Sequence, residues 1–244
     1  MSTLQDIFAK PIEIKDIGSL HPIKMIDYDT FIECSNILLL NSNNFDVDKV
    51  KEIHDYHEEL KLLDIMTLEL GREGFLPTML KLLSRLFSIV LQKKMKFGNG
   101  HKGVHFYSKD STTIINRDNY EEIRKTILQQ NLLFEPKVYK DKLVQEWAKM
   151  VLDQRAKNSI KMTTEDSITT IAAFSGKHYW DLENYTIYQI KAEFARINKL
   201  KNYDTMVAFK CAGDDKSKLN HYAESTDIDK HPQDELFVKN KFVH

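Results

Sequence analysis

The sequence predicts a mainly helical α+β protein with a bundle-like helical core and two small β-hairpins. Apolar residues recur every three or four positions through most of its 244 residues. Alternating, Gly- and Pro-punctuated patterning is confined to residues 12–26 and 104–115. Capping residues and terminal glycines bracket several of the periodic stretches.

A short helix is expected near Thr3 to Phe8. Ile12-Glu13-Ile14 and Pro22 to Ile26, joined through Gly18 and Ser19, then form the first hairpin. Asp27 is placed to cap a helix with Phe31, Cys34, Ser35, Leu38 and Leu39 on one face, broken by Asn41 to Asn44. Asp46 opens one long helix, in which Val50, Ile53, His57, Leu60, Leu63, Thr67 and Leu70 share a stripe and Gly71 is the stop. From Pro77 to Gln92 the polar residues narrow to Lys81, Ser84, Arg85, Ser88 and Gln92. That helix is either the central buried element or the one that meets a partner.

A sheet of two or three strands follows Met95, with Gly98 to Gly103 as its loop. Asp118 and Glu121 fit a capping box for a helix with Tyr120, Ile123, Ile127 and Leu128 inward. Next come an amphipathic helix over residues 140–156, centred on Trp147, and a Thr163-capped helix ending on Gly176. Two further helices, Asp181 to Lys199 and Tyr203 to Ala212, end at Gly213. Residues 1–213 thus read as a single mostly helical domain, with 93–116 as the place for an internal boundary. Residues 214–244 read as a polar, loosely packed tail that docks at best through Leu236-Phe237-Val238.

Thirty-five basic against 36 acidic side chains leave a formal charge of −1, which disfavours a DNA coat or a general attraction to anionic membranes. The first residues lack the basic and long apolar regions of a signal peptide, and the most apolar stretch, Phe75 to Leu91, is too short and too charged to span a bilayer. Cys34 and Cys211 stand far apart outside any C-x-x-C and read as buried small hydrophobes in a reducing compartment.

No catalytic, cofactor or metal constellation is legible. His54 and His57 lie three apart on a helix, but a metal site needs further ligands and H-E-x-x-H is absent. His101 and His105 flank Gly103 in a hairpin, and the glycine cluster there is not a P-loop. There is no G-x-S-x-G either, so the chain is expected not to be an enzyme and to need no cofactor. Lys93 to Phe97 and Arg196 to Lys201 could touch phosphate, but both are short, which keeps nucleic-acid binding a minor reading. Tyr179, Trp180, Tyr185 and Tyr188 are the candidate partner-binding residues, since such aromatics bury large area while keeping a polar tip; a core wedge is the alternative.

Thr113 to Arg124, followed by Gln130-Asn131 and Glu135-Pro136, resembles a segment of tail and baseplate assembly proteins of tailed bacteriophages. The block Ile171 to Phe209, with Gly176-Lys177, Tyr185 to Gln189 and Phe194 to Ile197, is similar to the helical region of phage tail assembly chaperones. Looser matches in the first half are Ile17-Gly18, Pro22-Ile23 and Asp27-Tyr28. The resemblance implies a non-enzymatic protein of the host cytoplasm or the virion that binds a tape-measure or baseplate-hub component. A structural tail or baseplate subunit is the close variant.

Overall fold

The computed structural model describes residues 4–54, 59–101, 103–110, 112–158, 161–226 and 228–234. Helices dominate, accompanied by two antiparallel sheets of two and three strands, so the fold is α+β. The chain divides into two compact units, one made of residues 8–138 and the other of residues 1–7 with 139–244. Residues 93–116 lie inside the first of these.

The chain begins with α1 (Leu4–Ile7), which belongs to the second unit. The first unit opens on β1 (Ile12–Ile14) and β2 (Gly18–Leu20), paired with Ile12 opposite Leu20. The return strand therefore ends before Pro22, where the sequence would begin it. Asp16 and Gly18 both take positive φ, which closes the turn early. The backbone of the next residues is used elsewhere. His21 N–H donates to the Val90 carbonyl (2.8 Å), and Ile23 N–H donates to Asn131 Oδ1 (3.0 Å).

A 3-10 turn at Met25–Asp27 leads into α2 (Tyr28–Leu39). Asp27 makes no side-chain cap there, because that turn already occupies the backbone before the helix. The long helix expected after Asp46 is two helices, α3 (Val47–Ile53) and α4 (Leu62–Arg72), on either side of residues 55–58, which hold His57 and lie outside the described residues. Asp46 does cap α3, accepting from Lys49 N–H at 3.2 Å. Gly71 sits within α4, whereas Gly74 takes the left-handed turn beyond it.

The central element is α5 (Leu76–Val90), which packs against α2, α4 and the sheet. Met79, Leu80, Leu83, Leu86, Phe87 and Val90 are buried, so its wide apolar surface faces its own core. Two residues of its polar stripe turn inward as well. Ser84 Oγ donates to the Met95 carbonyl (2.8 Å), and Ser88 Oγ accepts from Met95 N–H (2.9 Å), which fastens the first strand of the sheet to the helix.

That sheet comprises β3 (Met95–Gly100), β4 (Gly103–Ser108) and β5 (Ile114–Ile115). The expected glycine loop is largely strand. Gly100 pairs with Gly103, and Gly98 leaves room for the ring of His105, which a Cβ would meet at 3.3 Å. The helix α6 (Tyr120–Gln130) completes the unit. No capping box forms at Asp118; instead Asn119 Oδ1 accepts from Asn116 N–H (2.8 Å), while Glu121 pairs with Arg124 and Lys125.

The second unit continues with α7 (Lys142–Asn158), α8 (Thr164–Ser175), α9 (Tyr179–Leu182) and α10 (Ile187–Cys211). The stripe expected to bury α7 is split. Ala148 is its one buried side chain, Val144 and Val151 beside it are half-buried, and Leu143, Trp147 and Met150 are exposed at 75%, 39% and 58%. The apolar arc of α7 is wider than its contact, and the contact takes the side with the smaller side chains. Thr163 caps α8 in a capping box with Asp166, and Gly176 closes it in the left-handed conformation.

The sequence divides α10 into two helices, but it runs unbroken for 25 residues. Its start is a capping box: Thr186 Oγ1 accepts from Gln189 N–H (3.2 Å), and Gln189 Oε1 accepts from Thr186 N–H (2.8 Å). Replacing the buried Thr186 by Ala should lower stability by about 1 kcal/mol. Both tryptophans lie in this unit, so their fluorescence during denaturant unfolding reads out that loss.

Part of the polar tail is docked on α10. Arg196 donates to the Tyr222 carbonyl (2.7 Å), Lys199 to the Glu224 carbonyl (3.0 Å), and Tyr203 meets the Tyr222 ring edge-on. Leu236-Phe237-Val238 lies outside the described residues.

Candidate functional site

The four aromatic residues singled out in the sequence surround the junction of α9 and α10, but they do not share one environment. Tyr179 and Trp180 are exposed at 61% and 63%. Tyr185 is half-buried, and Tyr188 is buried between Ile187 and Ile190. The split follows from local geometry. Leu182 is the inward side of the four-residue α9, so Tyr179 and Trp180 face out.

The exposed rings sit on a braced support. The His178 ring stacks on Trp180 with centroids 4.2 Å apart and planes at 16°. Lys177 lies over the Tyr185 ring (4.8 Å) and pairs with Glu193 on α10. Burial disfavours the charged form of Lys177, but the bonds to Glu193 and Tyr185 outweigh it and leave its pKa raised. The α10 cap adds a further tie, since Gln189 Nε2 donates to the Ile7 carbonyl at 2.8 Å. The result is an exposed aromatic ledge, His178, Tyr179 and Trp180, on an ordered base. Of the four aromatics expected to meet a partner, Tyr179 and Trp180 form the ledge, Tyr185 lies at its edge and Tyr188 belongs to the core. Sequence reasoning missed His178, whose signal was only its adjacency to them.

Three of the basic candidates have structural partners. Lys93 donates to Thr113 Oγ1 (3.2 Å), and Arg196 and Lys199 hold the docked tail segment. His54 lies 3.9 Å from Glu69, which also binds Arg72. Among the described residues no group of three or more His, Cys, Asp and Glu is placed to hold a metal ion, and no helix is long and apolar enough to cross a membrane. Both cysteines are free. Cys34 is buried, and burial, with Glu33 adding to it and Arg85 opposing, pushes its thiol up to about 11, which leaves it unreactive at neutral pH. Cys211 is exposed rather than buried, because it falls on the outer side of the last turn of α10.

Residues 154–227 match the family model described as the second domain of YomV, a span within the second unit that runs from the end of α7 to just past the docked tail segment. No solved structure matches the chain. Over an alignment covering 93% of both chains, the sequence is 26% identical to the SPbeta prophage-derived uncharacterized protein YomV of Bacillus subtilis (strain 168), and that similarity indicates a phage-derived protein.

Proposed function

We propose that this phage-derived chain is a non-enzymatic assembly protein of the phage tail or baseplate, which binds a tape-measure or baseplate-hub component through the ledge of His178, Tyr179 and Trp180. The observation that carries the reading is the exposure of two large aromatic rings on a braced support. Tyr and Trp bury much area at little conformational cost and are enriched where binding energy concentrates. The resemblance of residues 171–209 to tail assembly chaperones supports the choice of partner class.

Co-expression with tape-measure and baseplate-hub proteins, followed by affinity capture, tests the proposal. The pair Tyr179→Ala and Trp180→Ala should weaken capture by roughly tenfold or more while the circular dichroism spectrum is unchanged. Tyr188→Ala is the contrasting variant, since it removes a buried ring and should lower stability. Capture of no tail protein, together with retention of single-stranded DNA or turnover of a nucleotide, would overturn the assembly reading.

A further inference from the structure

We infer that α7 is a self-association surface, on which a second copy of this chain docks its own α7 in antiparallel orientation. At about 100° per residue, Leu143, Met150 and Gln154 project from α7 on the side away from buried Ala148, with Trp147 on the shoulder. One edge of that face carries Lys142, Glu146, Lys149 and Asp153, all exposed and spaced four, three and four residues apart; the exposed Lys157, four residues further on, lies outside the stretch in which two antiparallel copies centred between Trp147 and Ala148 overlap. Their signs alternate: plus, minus, plus, minus. Read backwards, the row becomes its own complement.

An antiparallel copy brings this edge against itself, and a single register sets Lys142 opposite Asp153 and Glu146 opposite Lys149 of the second copy, each contact occurring twice about the two-fold axis. The same register places Trp147 beside its counterpart near that axis and seats Met150 between Leu143 and Trp147 of the other chain. A parallel copy would instead press the charged edge against the half-buried Val144 and Val151. Charge thus selects both the occupant and its direction. Helices of 17 residues bury less than the ~1,200 Å² of a stable interface, so the association is weak and concentration-dependent.

Sedimentation of the full chain from about 1 to about 300 μM tests the inference without any tail protein, and so independently of the proposed partner. A monomer–dimer equilibrium weakened by added salt is expected. Met150→Asp, at an exposed position, should weaken the dimer roughly tenfold or more. Glu146→Lys should weaken it too, and adding Lys149→Glu should restore it, because the swap recreates opposite charges across the axis. A monomer at every concentration would overturn the inference. So would a dimer indifferent to Met150→Asp, or a double swap no tighter than Glu146→Lys alone.

Discussion

Phe87→Ala should lower the stability of the first unit by about 3–5 kcal/mol, the largest effect expected of any single substitution in this protein. Phe87 is fully buried at the middle of the hydrophobic face of α5, and its ring meets those of Phe106 (4.9 Å, 77°) and Tyr120 (6.4 Å, 82°) edge-on. Truncation removes the apolar burial, both aromatic contacts and the filling between helix, sheet and α6 together. The Tyr120 hydroxyl is directed to Met66 Sδ at 3.7 Å, a weak contact that opposes a shift of its ring into the space. The measurement is the midpoint of denaturant unfolding followed by far-ultraviolet circular dichroism. Phe87→Leu should recover most of the loss; a midpoint unmoved by Phe87→Ala would mean that α5 is not the centre of this core.

Arg124→Ala should cost about 3 kcal/mol, because it empties a fully buried position and leaves the buried Leu38 carbonyl without its donor. The Arg124 side chain is fully buried; it donates to the Leu38 carbonyl (2.6 Å), to Glu121 (3.0 Å) and to Glu135 (2.6 Å), and so ties α2, α6 and the segment after α6 to one guanidinium. Arg124→Met keeps much of the volume and isolates the lost hydrogen bonds. The pH dependence supplies a second readout. Burial raises the Glu121 pKa, but the bonds and charges of Arg124 and Lys125 outweigh it and leave it below the ordinary 4.5. A carboxylate lowered in the folded state adds stability above its unfolded pKa and loses it as pH falls through the folded one. The native protein should therefore lose stability on acidification below 4.5 more steeply than Arg124→Met does.

What the sequence made legible was decided within a few residues of itself. Asp46 and Thr163 cap helices through neighbouring N–H groups, Gly176 supplies the left-handed stop, and the crowded apolar pattern of α5 permits no face but an inward one. Distant partners decided what was misread. The return strand of the first hairpin ends early because His21 and Ile23 give their N–H groups to Val90 and Asn131, and Ser84 and Ser88 look like a solvent stripe until Met95 folds over them. On α7 the periodicity was real, but periodicity does not say which side of a wide apolar arc finds a neighbour. Trp147 consequently stands at the surface rather than at a core centre. Within the aromatic site the same ambiguity separated Tyr179 and Trp180 from Tyr188, whose neighbours Ile187 and Ile190 carry it inward.

The two units differ in how the chain supplies them. Residues 8–138 are one continuous stretch, able to fold as soon as they have been made. The other unit takes residues 1–7 from one side of that stretch and 139–244 from the other, and the bond between the Ile7 carbonyl and Gln189 spans 182 positions. On a ribosome adding ~5–20 residues each second, α1 emerges ahead of the whole first unit yet waits ~10–40 seconds for its partner on α10. A segment made that early is among the last to find its place.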